Sequence, residues 1–99
     1  MIIHDFKNDE FNELISKDAI LLDFYATWCG PCKLQSLVID ELVKTNDIKV
    51  LKIDVDKHNS IAKEYKVMTI PTLIFIKDNK EVKKNVGFIP LEELDKWFK

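Results

Sequence analysis

The sequence predicts one α/β domain, and three observations carry that reading. Short β-like apolar runs alternate with stretches of helical periodicity along the whole chain. Residues 19–26 form a near-continuous apolar run, as a central strand covered on both faces should. The 99 residues fit a single domain over 1–99 and are too few for two, yet enough to bury a core without staples.

The elements follow in order. Residues 1–4 are a strand candidate. Phe11, Leu14 and Ile15 then recur at helical spacing, with Asn8 or Asp9 available as N-cap. The run 19–26 is the second strand, interrupted by Asp23. Residues 33–43 read as a helix with Leu34, Val38 and Leu42 on its apolar face and Leu37 widening it. Residues 49–55 form a third strand, and Ile61, Ala62 and Tyr65 mark a short helix. Residues 72–77 and 81–86 are β-like, joined by Asp78 and Asn79, which tolerate the positive φ of a tight hairpin. Pro90 suits the first position of a closing helix, with Glu92 and Glu93 in its first turn and Lys96 and Lys99 in its last. Leu91, Leu94 and Phe98, joined by Trp97, form its buried stripe. In the order β-α-β-α-β-α-β-β-α, the first three strands should be parallel and the final hairpin antiparallel.

Composition excludes several function classes. Apolar residues make up 46% and charged residues 32%, an ordinary globular balance. The net charge is −2, so no basic excess exists to drive nucleic-acid binding through phosphates. All 15 basic residues are Lys, which removes bidentate guanidinium recognition. The first ten residues are dense in charge and carry no apolar leader. The longest apolar runs fall far below the ~18 residues of a membrane span. The expectation is a cytoplasmic protein with no membrane attachment. Two cysteines three apart in such a compartment point to catalysis or metal binding more than to a staple.

The chemistry concentrates at Trp28-Cys29-Gly30-Pro31-Cys32-Lys33, between a strand and a helix. Two thiols at this spacing reach disulfide geometry with little backbone movement. At a helix start, free N–H groups and the positive dipole end favour thiolate, which makes Cys29 the attacking sulfur. Gly30 allows a tight turn and close substrate approach. Pro31 pre-sets helical φ and stiffens the ring between the cysteines. Cys29 would attack a substrate disulfide; Cys32 would then attack Cys29, releasing reduced substrate and leaving the chain oxidised. An external reductant must restore the dithiol.

Other readings of the pair are weaker. Tetrahedral zinc needs two more ligands, and His4 and His58 form no spaced pair, so no metal is expected. Neither histidine is given a role beyond a surface or cap position. Haem attachment would require His where Lys33 stands. A structural disulfide conflicts with a reducing compartment.

The same hexapeptide resembles the active-site motif of the thioredoxin family. Leu22-Asp23-Phe24-Tyr25-Ala26 resembles the strand before that motif. Lys52-Ile53-Asp54-Val55-Asp56 resembles the family's third strand, and Thr69-Ile70-Pro71-Thr72 the loop carrying its cis-proline. The matches span nearly the whole chain in the right order.

The resemblance implies a thioredoxin fold, a three-layer α/β/α arrangement with a five-stranded mixed sheet of order 1-3-2-4-5 and four helices. It implies that Asp23 is a buried carboxylate beneath the cysteines, with a raised pKa suited to taking the Cys32 proton. It pairs Lys52 with that carboxylate and makes Pro71 the cis-proline facing the disulfide. Ile70, beside Thr69, should lend backbone groups to an extended substrate, with Trp28, Val86, Gly87 and Phe88 completing an apolar rim.

It implies a protein-disulfide reductase that binds no cofactor, working through a Cys29–Cys32 disulfide refilled by thioredoxin reductase from NADPH. The substrates would be disulfide-containing proteins. A monomer is expected from the absence of a leftover apolar helix face.

The chain departs from the family pattern at Leu37, where a kinking proline is usual, at Asn79, often Gly, and at Tyr25, often Trp. Two other functions remain open on the sequence. A disulfide oxidant or isomerase would use the same thiols, although Gly30-Pro31 and the missing leader count against it. A binding module would use the groove without turnover.

Overall fold

The computed structural model describes residues 1–99. Five strands, β1 (Ile2–Ile3), β2 (Ile20–Tyr25), β3 (Lys49–Asp54), β4 (Thr72–Lys77) and β5 (Lys80–Val86), form one sheet in the order β1-β3-β2-β4-β5. β3 pairs in parallel with β1 and β2, while β4 runs antiparallel to both β2 and β5. The helices are α1 (Phe11–Lys17), α2 (Gly30–Thr45), α3 (Asn59–Glu64) and α4 (Leu91–Asp95). Both the mixed sheet and its order are those expected.

Side-chain alternation along the strands explains the three layers. Ile20, Leu22 and Phe24 of β2 join Leu51 and Ile53 of β3 in a core with Phe11 and Ile15 of α1 and Ile61 and Ala62 of α3. Leu21 and Val50 face the other way, into a core with Ile39 and Leu42 of α2 and Leu94 of α4. Burying each such aliphatic side chain stabilises the fold by about 1.5–3 kcal/mol. By the same period of two, Asp23, Tyr25 and Lys52 point toward the α2 side. The register opposes Asp23 to Lys52 on β3 and to Leu73 on β4.

The hairpin turn forms as expected, with Asp78 at φ 53° and Asn79 at φ 63°. Other details differ from expectation. The first strand shortens to two residues, and Pro90 is the N-cap of α4, one residue before its first turn. Glu10, not Asn8 or Asp9, caps the opening turn: its Oε1 accepts the Lys7 N–H at 2.7 Å. Leu94 is fully buried, but Leu91 is exposed, and the chain tightens to a 3-10 turn over Lys96–Phe98.

The buried stripe of α2 is Cys32, Gln35, Ile39 and Leu42. Leu34 and Leu37, expected on that face, are 58% and 62% exposed. Their joint exposure also removes the argument for a monomer, because α2 does carry apolar surface outside the core. No helix is long and apolar enough to cross a membrane.

Candidate active site

The strand β2 ends at Tyr25, and the chain turns over Ala26, Thr27 and Trp28 before entering α2. Cys29 is the N-cap of α2, its backbone extended at φ −90° and ψ 112°. Its Sγ accepts the backbone N–H of Cys32 at 3.2 Å, filling one of the donors that a helix start leaves free. Pro31 occupies the first turn, where its missing N–H costs no helical bond.

Cys29 and Cys32 are joined as a disulfide, with their Cα atoms 5.3 Å apart. In this oxidised form neither thiol is free to bind a metal. No group of three or more His, Cys, Asp or Glu side chains is gathered elsewhere to hold an ion.

Gly30 is not in the left-handed region, and a methyl group built on it would meet nothing within 4 Å. The turn therefore does not demand glycine, contrary to the sequence-based reading; open space in front of the disulfide remains. Both sulfur-bearing residues lie just beneath the surface, at 5% and 4% exposure, packed with Ala26 and against Ile70, Tyr25 and Val55. Trp28 next to them is 71% exposed. Its Nε1 donates to Asp56 Oδ2 at 3.0 Å, which ties the indole to the loop after β3. Two depressions lie in this region, and only the first is lined by a cysteine. One, about 240 Å³, is lined by Tyr25, Ala26, Cys32, Lys33, Ser36 and Lys52. The other, about 410 Å³, includes Trp28, Ala62, Val67, Met68 and Ile70.

The Ile70–Pro71 peptide is cis. Thr69 anchors this loop through its C=O, which accepts the Thr72 hydroxyl. The Pro71 C=O accepts the Gly87 N–H at 2.8 Å, so the loop and the segment after β5 form one continuous edge. Gly87 has φ 91°, a conformation that requires glycine. Val86 and Phe88 are 58% and 46% exposed, so neither is spent on core packing.

Asp23 is fully buried, and its two carboxyl oxygens have no hydrogen-bond partner. Desolvation raises its pKa from 3.8 to about 6, against the smaller opposing pull of Lys52. Lys52 Nζ stands 3.4 Å from Asp23 Oδ2 but donates to Ser36 Oγ at 2.7 Å and lies 4.9 Å from the centre of the Tyr25 ring. The lysine is thus divided between the carboxylate and α2. A carboxyl that titrates near 6 can exchange a proton at neutral pH.

Two polar residues here escape sequence reasoning. Ser36 sits one turn beyond Cys32 and accepts a hydrogen bond from Lys52; nothing in the sequence pairs it with a lysine sixteen residues on. Gln35 is fully buried and holds the backbone of Ile89. A polar side chain on the stripe that Cys32 defines is a readable signal, but only once the phase of α2 is known. Of the histidines, His4 is exposed, while His58 is the N-cap of α3, stacked on Phe6 at 4.1 Å.

Comparison with known proteins places these features in a family. The family model described as Thioredoxin matches residues 2–99. The chain is 47% identical over 96 residues to a thioredoxin of Staphylococcus epidermidis, covering 95% of this chain and 92% of that one. It is 41% identical to a thioredoxin of Mycoplasmoides gallisepticum, covering 91% and 92%. Among solved structures, a mutant thioredoxin from Halobacterium salinarum superposes with a TM-score of 0.89 at 34% identity, covering 98% of this chain and 87% of that one. The oxidized form of mitochondrial thioredoxin 3 from Saccharomyces cerevisiae gives 0.87 at 36% identity, covering 98% and 92%.

Proposed function

The chain belongs to the thioredoxin family and is a thiol–disulfide oxidoreductase that reduces protein disulfides; from that premise we propose how its residues divide the work. The working group is the Cys29–Cys32 pair itself, with no bound cofactor. The observation that carries the assignment of roles is the seating of Cys29 at the N-cap of α2, its sulfur facing the Cys32 N–H.

In the reduced chain that N–H and the helix dipole favour the Cys29 thiolate over the thiol. The thiolate attacks one sulfur of a substrate disulfide. A Cys29–substrate S–S bond forms, the substrate S–S bond breaks, and the departing sulfur leaves as thiolate. Cys32 then gives its proton to the Asp23 carboxylate and attacks Cys29. The internal disulfide forms, and the substrate leaves with both sulfurs reduced. Two electrons have passed from the chain to the substrate.

Trp28, Thr69, Ile70, Pro71, Val86, Gly87 and Phe88 form the binding edge. Exposed apolar side chains and free backbone groups there read an extended peptide with little regard to its side chains. Lys33 is exposed beside Cys32 and adds positive charge at the rim. Lys52 steadies the Asp23 charge during proton transfer.

Thioredoxin reductase, drawing on NADPH, returns the disulfide to the dithiol, and the chain works in the cytoplasm as one domain over 1–99. The test is reduction of insulin disulfides by the purified protein with that reductase, followed as NADPH consumption. Turnover that needs both cysteines supports the reading; no consumption above background overturns it.

A further inference from the structure

Gln35 does a job that disulfide exchange by itself does not require. Its side chain is fully buried on α2, three residues after Cys32 and so on the same helix face. Nε2 donates to the Ile89 C=O at 3.0 Å, and Oε1 accepts the Ile89 N–H at 2.9 Å. Both ends of one amide are thus committed to the backbone of one residue. The stripe of α2 that carries it turns, through Ile39 and Leu42, into an apolar core with Leu73, Phe75, Ile89 and Leu94. Packing alone would be served by leucine or methionine at this position. Only the paired hydrogen bonds explain an amide there, since each buried backbone group left alone costs about 1–3 kcal/mol.

Ile89 directly follows Gly87 and Phe88. Three anchors hold this segment. The Gly87 N–H donates to the Pro71 C=O at 2.8 Å, Asn85 Nδ2 donates to the Gly87 C=O at 2.9 Å, and Gln35 grips Ile89 on both sides. Phe88 lies between the anchors, half-exposed, with no hydrogen bond from its own N–H or C=O to the rest of the chain. Of the anchors, only Gln35 comes from the helix that carries the cysteines.

We propose that Gln35 is a positioning residue that ties the 87–89 segment to α2 and thereby sets where the Phe88 backbone stands relative to the Cys29–Cys32 disulfide. The proposal rests on the reading of Val86, Gly87 and Phe88 as the substrate edge. Gln35 touches no reacting atom; it acts on how well a peptide seats beside the sulfurs. A protein disulfide, which must lie along that edge, feels its loss. A small disulfide that reaches Cys29 without the edge does not.

The experiment compares wild type with Gln35→Met in two assays: insulin disulfides over a range of concentration, and the small aromatic disulfide dithiobis(nitrobenzoic acid). The expected result is a KM for insulin raised at least fivefold, with kcat and the small-disulfide rate within twofold of wild type. An unchanged KM, or equal losses in both assays, overturns the proposal.

Gln35→Glu gives a second reading, and it decides if Gln35→Met does not fold. Burial raises the pKa of a carboxyl at this position; its protonated form can donate to and accept from Ile89 as the amide does, and its ionised form cannot donate. Its KM relative to wild type should stay within twofold at pH 6 and exceed threefold at pH 9; a flat ratio overturns the proposal. Phe88→Ala separates the two levels of the argument. If it leaves the insulin KM unchanged, the substrate-edge reading fails; if it raises KM while the Gln35 variants do not, only the positioning role fails.

Discussion

Asp23 and Lys52 are register partners on adjacent parallel strands, 3.4 Å apart, yet the carboxylate accepts no hydrogen bond from the lysine. The ammonium donates to Ser36 on α2 instead. The pair is therefore attractive but incomplete, and burial outweighs the attraction, which is why the carboxyl titrates at about 6. No other titratable side chain relieves it: Lys52 is the only group that pulls its pKa down, and its β4 neighbour is Leu73.

Replacing Asp23 should stabilise the protein at neutral pH. The folded pKa of about 6 lies above the ordinary 3.8, so the unfolded chain releases the proton first. Stability from this group is fully present below 3.8 and is lost as pH rises through about 6, a difference of about 3 kcal/mol. Asp23→Asn removes that slope. Urea unfolding at pH 3.5 and pH 7 should show the wild type losing more stability between the two than the variant does. At pH 7 the variant gains up to about 3 kcal/mol, less the cost of leaving Lys52 without its carboxylate. Insulin reduction should fall about tenfold or more, with its dependence between pH 5 and pH 7 flattened.

Ser36→Ala should lower the Asp23 pKa. Lys52 is only 8% exposed and would lose its one hydrogen-bond acceptor. The nearest replacement is the Asp23 carboxylate, and a completed charged hydrogen bond favours the ionised acid. Titration of the Asp23 carboxyl by NMR, in the oxidised protein, should show a midpoint below that of wild type. A midpoint unchanged or raised would mean that the lysine turns out to solvent.

What the sequence could and could not disclose follows from which forces fix each feature. The sheet was legible because residues 19–26 and 72–77 are apolar on both faces, and because Asp78 and Asn79 accept positive φ. The pairing of Asp23 with Lys52 came from family resemblance; the strand register supplies its physical reason. The phase of α2 differs from the expected one because Leu34, Val38 and Leu42 make the richest aliphatic stripe in the sequence. In the folded chain the disulfide decides instead: Cys32 must face inward, which carries Gln35, Ile39 and Leu42 with it and turns Leu34 and Leu37 outward. Gln35 and Ser36 became meaningful only once that rotation was known. Their partners, Ile89 and Lys52, lie 54 and 16 residues away.

The two cysteines should fail in different ways when replaced. Cys29→Ser removes the sulfur proposed to make the first bond to substrate, and insulin reduction should drop at least a thousandfold. Cys32→Ser leaves the first step intact and removes the group that ends it. Mixed with an oxidised substrate, Cys32→Ser should accumulate a covalent complex visible on a non-reducing gel, and a small thiol should dissolve it. A complex formed by Cys29→Ser instead would reverse the assigned roles.

Gly87 joins the segment after β5 to the cis-proline loop, and its substitution should separate two effects. At φ 91° an L side chain is strained, at a cost on the order of 1–2 kcal/mol, although a methyl group there would meet no neighbouring atom within 4 Å. Gly87→Ala should therefore lower stability by about that amount through the backbone alone, read as a shift in the urea midpoint without a change in slope. Relief of the strain pulls φ toward negative values and turns the Gly87 N–H away from the Pro71 C=O, which it now meets at 2.8 Å. The cis-proline loop and the 87–89 segment then lose their direct link. The KM for insulin should rise several-fold, while reaction with dithiobis(nitrobenzoic acid) stays near wild type. A variant that loses stability but keeps its KM would show that the Pro71–Gly87 link supports the fold and does not shape the proposed peptide edge.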